Sequence, residues 1–225
     1  MNSRKELLKK SLLYVIIDKR TCEKESVVSI VNEIKHSEVD IIQLRDKVSD
    51  NRVSIFKEAE AISKILSKTR ILFIVNDYID IAKLVNCDGI HLGQSDCSPI
   101  IARRILGEDK IIGVSCHSLT QAKIAQERGA DYISVGPVFP TCLKPDYKVL
   151  GLDSLRCIVS KIKIPTFAIG GIDELNLRDV LHHLPDKMNR IAVCTAVCQA
   201  ENRILAIRRI SNILHQNDTI RICQG

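Results

Sequence analysis

The run Asp40-Ile41-Ile42-Gln43-Leu44-Arg45-Asp46-Lys47 begins as continuous apolar chain and ends in alternating charge. In an extended strand, Gln43, Arg45 and Lys47 share one face while Leu44 points to the other. The apolar first half reads as a strand buried on both faces, as parallel strands are beneath helices. Outward from this run the same design recurs. Residues 12–17 precede Asp18, 71–75 precede Asn76-Asp77, 89–92 precede Gly93-Gln94-Ser95-Asp96, and 111–114 precede Ser115-Cys116-His117. Further on, 132–135 precede Gly136-Pro137, 166–169 precede Gly170-Gly171, and 191–193 precede Cys194-Thr195. That makes eight runs, each ending in a chemically different polar or glycine tag.

The runs end near positions 17, 44, 75, 92, 115, 136, 169 and 194, at intervals of 17 to 33 residues that each hold a helix and two loops. Residues 51–67, 118–129, 174–184 and 201–214 have helical spacing of apolar residues, with Val53 and Phe56 on the expected buried stripe of the first. Gly129 and Pro185 stand as stop signals for the second and third. Eight strand–helix units with no linker between them predict an α/β fold, a single (β/α)8 TIM barrel. A chain of 225 residues suits one such domain, with a core over about 12–214 and short tails. In these barrels the strand ends converge on one mouth, so distinct tags predict one active site built from many segments.

Composition narrows the function. Lys and Arg are scattered and aromatic residues make up only 4%, which argues against nucleic acid as a partner. A net charge of +6 favours anionic small molecules mildly. Nine cysteines form an odd set without a Cys-x-x-Cys pair, and the opening Met1-Asn2-Ser3-Arg4-Lys5-Glu6 has no apolar core of signal length. Reduced cysteines in a cytoplasmic protein are therefore expected. No apolar stretch approaches the roughly 18 residues of a membrane span, so no membrane partner is expected either.

Three inward polar groups at 43, 45 and 47 need a partner: either an ion pair with a neighbouring strand, or phosphate oxygens held by Arg45 as a fork and Lys47 as a point charge. Asp77 and Asp96 end or follow adjacent strands. Either they pair with those cations or they hold Mg²⁺, which takes one or two carboxylates plus substrate phosphates and water. Asp80 and Asp88 read as helix-start and turn residues, and His91 as a core or a catalytic histidine. Gly170-Gly171 after the seventh strand and Cys194-Thr195 after the eighth occupy the position where barrels often bind phosphate; a tight turn is the plainer use of the glycines. The long loop from Gly136 to Gly151 reads as a lid, with Thr141 and Lys144 in reach of a phosphate. Ser115 is placed to contact a polar ring, and His117 either does the same or begins the next helix. No nucleophilic triad emerges, which points to electrostatic help for a leaving group.

These residues together resemble the thiamine-phosphate synthase family, from Tyr14 to Val197. The resemblance rests on Gln-Leu-Arg-Asp-Lys at 43–47, Asn76-Asp77 with Asp80, and His91-Leu92-Gly93-Gln94-Ser95-Asp96. Gly136-Pro137-Val138-Phe139-Pro140-Thr141 with Lys144, Gly151-Leu152 and Ala168-Ile169-Gly170-Gly171-Ile172 complete it. It implies a transferase that joins 4-amino-2-methyl-5-hydroxymethylpyrimidine diphosphate to 4-methyl-5-(2-phosphoethyl)thiazole, or its carboxylate, releasing pyrophosphate by a dissociative route. It further implies that Gln43, Arg45, Lys47, Asn76 and Lys144 hold the pyrimidine diphosphate, and that Ser115 contacts the pyrimidine. Asp77 and Asp96 would bind Mg²⁺, while Thr141, Gly171, Cys194 and Thr195 take the thiazole phosphate. Arg45, Lys144 and Ser115 would be the catalytic set. Small molecules are the implied partners, and a homo-oligomer is compatible with the chain.

The chain departs from the family pattern at Leu143, where a second lid threonine is usual, at Tyr78, where arginine is common, at Cys194-Thr195 in place of Val-Ser, and over 185–190. Two competitors follow. A thiazole tautomerase of the same superfamily would not need the charged face at 43–47 or the carboxylate pair, and would carry a histidine near Pro137. A non-catalytic phosphate sensor on the same barrel would explain Leu143.

Overall fold

The computed structural model describes residues 3–22, 25–143, 145–185 and 189–222, with side chains described as far as 216. Eight strands close in sequence order: β1 (Leu13–Asp18), β2 (Ile41–Arg45), β3 (Leu72–Asn76), β4 (Gly89–Leu92), β5 (Ile111–Cys116), β6 (Tyr132–Val135), β7 (Thr166–Ile169) and β8 (Ile191–Val193). All neighbours pair in parallel, and β8 returns to β1. The chain is a (β/α)8 barrel, as its eight runs predict.

Among the described residues ten α-helices accompany the strands: α1 (Arg4–Lys10), α2 (Val27–Ile34), α3 (Arg52–Leu66), α4 (Ile79–Leu84), α5 (Pro99–Leu106), α6 (Leu119–Glu127), α7 (Leu152–Val159), α8 (Leu177–His183), α9 (Thr195–Cys198) and α10 (Arg203–Ile222). Among the described residues no helix is long and apolar enough to cross a membrane. Asn51 caps α3 by accepting a hydrogen bond from the Val53 N–H at 2.9 Å. The stripe this helix buries is Ile55, Ala59, Ile62 and Leu66, spaced by four, three and four residues. Val53, expected on that stripe, is 59% exposed, because the phase set from the cap turns it outward. At the two ends, residues without a sequence assignment prove helical. Leu8 of α1 reaches the barrel interior, and α10 runs eight residues beyond the expected end at 214.

Strand alternation divides the apolar residues into two layers. Tyr14, Ile16, Ile41, Leu72, Ile74, Ile111, Tyr132, Phe167 and Ala192 pack inside the barrel, whereas Val15, Ile42, Phe73, Ile90 and Ile112 pack under the helices. Both layers being dry is why the strands read as unbroken apolar runs. Tyr14, Tyr132 and Phe167 meet edge to face at centroid distances of 5.4 to 5.9 Å. Gly113 makes room for this cluster: a Cβ there would lie 2.0 Å from the Tyr132 ring. The same inward parity carries Asp18, Gln43, Arg45, Asn76, His91, Ser115 and Cys194 towards the mouth.

Candidate active site

The register sets Arg45 opposite Asp18 on the adjacent strand. The Arg45 Nη1 donates to Asp18 Oδ2, and the Asp18 side chain is fully buried. The ion pair with a neighbouring strand that the sequence leaves open is therefore present. It uses only part of the guanidinium, which has five N–H donors, and Arg45 also lines the cavity described below. Asp46, on the opposite face, accepts from the Val48 and Ser49 N–H groups at 3.0 and 2.8 Å and pairs with Lys19 at 3.2 Å. Burial opposes its charge, but these donors hold its carboxyl below the usual range. Its work is to fasten the loop leaving β2.

Gln43 is buried, and its Nε2 donates to the Tyr14 hydroxyl. From there a hydrogen-bonded chain crosses the barrel: Tyr14 Oη to Tyr132 Oη at 2.9 Å, Tyr132 Oη to His91 Nδ1 at 2.9 Å, and His91 Nε2 to Ser115 Oγ at 2.8 Å. Ser134 Oγ also approaches His91 Nε2, at 3.3 Å. Burial pushes both phenols above their ordinary pKa, so they remain neutral links. His91 is thus a buried histidine that fixes the Ser115 hydroxyl, and Ser115 lines the cavity.

At the rim, Asp77 sits in the left-handed region with φ 61°, its N–H donating to the His91 carbonyl at 2.9 Å. Aspartate tolerates that conformation better than most residues. Its carboxylate pairs with Lys47 and contacts Asp96. Burial, then the Asp96 carboxyl, pushes the Asp77 carboxyl up against the pull of Lys47. Asp96 moves the other way: burial opposes its charge, but the hydrogen bond with Asp77, the Gly93 N–H at 2.6 Å and Lys47 outweigh it. Two carboxylates in contact form a hard oxygen donor set that suits a divalent cation. Among the described residues no group of three or more His, Cys, Asp and Glu gathers as metal ligands, so such an ion would draw its other ligands from substrate and water. Asn76 pairs in register with His91 just inside this rim. Asp80 and Asp88 stand apart from it, as expected, on Arg52 and on Arg4 with the Phe73 N–H. The Arg52 guanidinium lies 5.0 Å from the Tyr78 ring centroid.

Across the mouth, the ends of β5 to β8 border a cavity that opens to solvent and that β1 and β2 also line through Ile16 and Arg45. Arg45, Ser115, Thr141, Gly171, Cys194 and Thr195 all line it, with Ile16, Ile169 and Ala192 as apolar wall. Gly170 and Gly171 have φ of 100° and 66°. A Cβ at 171 would fall 2.5 Å from the Pro140 carbonyl oxygen, and one at 170 would fall 2.5 Å from the Pro137 Cα. The glycines serve a turn and, in addition, let the lid base rest on β7, where the Val138 N–H donates to the Ile169 carbonyl at 2.9 Å and the Phe139 N–H to that of Gly170 at 3.0 Å. The Gly136–Pro137 peptide is cis. Farther along the lid, the Tyr147 ring lies 4.7 Å from that of His117. His117 lines the cavity, and Ser118 caps α6 in its stead. Lys144 lies outside the described residues. Behind Cys194, the Cys198 thiol is pushed up to about 12 by its contact with Cys194 and by burial, so it offers no thiolate.

Sequence reasoning passed over Asp18, Tyr14, Tyr132 and Ser134. Their signal is parity: each falls on the inward face that Gln43, His91 and Ser115 define once the register is known. Lys47, Asp77 and Asp96 form the outer rim and do not line the cavity itself.

Comparison with known proteins adds an independent line. The profile of the thiamine monophosphate synthase family matches residues 13–197. Thiamine-phosphate synthase of Lawsonia intracellularis is 42% identical over 172 residues, covering 76% of this chain and 79% of that protein. The Clostridium acetobutylicum enzyme of the same name is 35% identical over 207 residues, 92% and 96% of the two chains. A solved thiamine phosphate pyrophosphorylase from Pyrococcus furiosus superposes with a TM-score of 0.83 at 35% identity, over 94% of this chain and 98% of that one. A 3-hexulose-6-phosphate synthase from Salmonella typhimurium, at 18% identity and TM-score 0.64, shares the fold alone.

Proposed function

This chain belongs to the thiamine monophosphate synthase family, and from that premise we propose how its barrel mouth carries out the reaction. The enzyme is a transferase of thiamine biosynthesis. It joins 4-amino-2-methyl-5-hydroxymethylpyrimidine diphosphate to 4-methyl-5-(2-phosphoethyl)thiazole, or its carboxylate, and forms thiamine phosphate and pyrophosphate. The observation that carries the assignment of residues is the sharing of one mouth: Arg45 lines the same cavity as Gly171, Cys194 and Thr195, with the Lys47–Asp77–Asp96 rim beside it.

In this reading Gln43, Arg45, Lys47, Asn76 and Lys144 hold the pyrimidine diphosphate, and Ser115, steadied by His91, meets the pyrimidine ring. Thr141, Gly171, Cys194 and Thr195 take the thiazole phosphate. Asp77 and Asp96 would hold Mg²⁺, which supplies neutralisation of the charge growing on the leaving diphosphate. Lys47, paired with Asp77 here, is the cation for which a substrate phosphate competes. As the methylene C–O bond breaks, electrons leave with the diphosphate, and Arg45 donates to the oxygens where that charge develops. The thiazole nitrogen then gives its lone pair to the methylene carbon. Until it does, the apolar wall and the lid keep water from the pyrimidine-methyl cation that the departing diphosphate leaves behind. The same reading takes the enzyme to be cytoplasmic.

Incubation of the purified protein with both substrates and Mg²⁺ tests this, with thiamine phosphate measured by chromatography. Product that depends on both substrates and on the metal is expected. Its absence beside an active control enzyme would reject the synthase reading.

A further inference from the structure

We infer that Asp18 is a positioning residue that anchors the Arg45 clamp and, through Arg20, the lid backbone to one buried carboxylate. Asp18 ends β1 and faces inward, at the same parity as Tyr14 and Ile16. Its side chain has no solvent exposure. It does not line the cavity, so it touches the chemistry only through others.

The carboxylate is fully engaged. Besides Arg45 Nη1 on Oδ2, it accepts from the Arg20 backbone N–H at 3.0 Å and the Arg20 Nε at 3.4 Å, both on Oδ1, and from Arg20 Nη2 at 3.3 Å on Oδ2. Arg20 lies on the 3-10 turn Lys19–Thr21 directly after β1. The same Nη2 donates to the Leu143 carbonyl at 3.1 Å, in the lid and at the cavity wall. The carbonyl of Asp18 is pinned as well, by Thr21 Oγ1 at 2.7 Å and Cys22 Sγ at 3.2 Å. One fixed point thus sets the direction of the Arg45 fork and the height of the lid at Leu143.

Charge explains why an acid stands here. Two guanidiniums at the end of adjacent strands repel each other, and a single buried carboxylate between them leaves one net positive charge towards the mouth. Were the pairing there only to stabilise the β1–β2 ladder, Arg20 would have no need to reach the lid. The planar fork of arginine holds Asp18 and the Leu143 carbonyl together, a geometry that the point charge of lysine does not reproduce.

The inference rests on the synthase reading for its second readout and not for its first. Amide hydrogen exchange over residues 138–150, in the protein without substrate, reads the lid directly. Arg20→Ala, at a residue 36% exposed, is expected to fold normally and to raise exchange there about tenfold, with little change in α10. Arg20→Lys keeps the charge without the fork and should behave like Arg20→Ala. During turnover a loosened lid admits water to the cation. The water oxygen bonds to the methylene carbon in place of the departed diphosphate and sheds a proton, giving the pyrimidine alcohol. The ratio of alcohol to thiamine phosphate should rise roughly fivefold in Arg20→Ala and in Asp18→Asn, and Asp18→Asn should also raise KM for the diphosphate about tenfold. The double variant should give no higher ratio than Asp18→Asn alone, because both act through one tie. Unchanged exchange in Arg20→Ala, full rescue by lysine, or a wild-type ratio in both single variants would overturn the inference. If the wild-type protein made no thiamine phosphate, the synthase reading would fall while the exchange measurement still decided the tie.

Discussion

The two sides of the mouth are built from different materials. Around β2 to β4 the groups for an anion are side chains, and the fold has already paired them: Arg45 with Asp18, and Lys47 with Asp77. Around β6 to β8 the wall is uncharged: glycine, apolar side chains and the hydroxyls of Ser134, Thr141 and Thr195 border open space. The first side holds its charges ready by giving each a counter-ion, so a substrate must compete for them. The second gives shape and uncharged polar groups with no counter-charge to displace. Under the proposed function, the diphosphate with its metal would take the first side and the singly phosphorylated partner the second.

Substitutions can break this contrast, and the largest effect belongs to the charged side. Arg45→Ala removes a donor aimed at developing charge, and kcat/KM should fall ~10²–10³-fold. Steady-state kinetics check it, and a fall below tenfold would move the clamp elsewhere. Asp77→Ala and Asp96→Ala should each lower Mg²⁺-dependent turnover by about 10²-fold and shift the metal titration to higher concentration, with a melting temperature close to wild type. Unaltered metal dependence in either variant would remove that residue from the rim's role.

On the backbone side the same logic predicts sensitivity to a single methyl group. Gly171→Ala must meet both the positive φ and the Pro140 oxygen, which together cost ~1–3 kcal/mol of stability. Its KM for the thiazole phosphate should rise roughly tenfold, with that for the pyrimidine diphosphate unchanged, since the glycine lies opposite the charged rim. The smallest effect sharpens the contrast without mutation. Raising ionic strength from about 0.05 to 0.5 M shortens the screening length to a few ångström, and should increase KM for the diphosphate about threefold more than KM for the thiazole phosphate. Equal increases would show that charge serves both sides alike.

Much of this arrangement was legible in the sequence. Eight apolar runs with distinct tags announced the barrel, and the i, i+2 spacing of Gln43 and Arg45 put them on one face, whereas Lys47, past the end of β2, falls on the rim instead. Partners were harder to read. Asp18 was visible as a strand end, but only the closure of β1 onto β2 sets it against Arg45. The His91–Tyr132–Tyr14–Gln43 chain joins residues up to 118 positions apart, and nothing local marks them as neighbours. The doubled glycine signalled a turn. Its contact with Pro137 and Pro140 came from the lid folding back across β7.

Taken alone, the amino-acid sequence determined the barrel and which strand residues share a face, because hydrophobic periodicity and strand alternation are local properties of the chain. Tertiary structure decided which charges neutralise one another, which hydroxyl His91 orients and how the lid is anchored. Those depend on register and on ring closure between strands far apart in the chain, and such long-range geometry leaves no trace in local spacing.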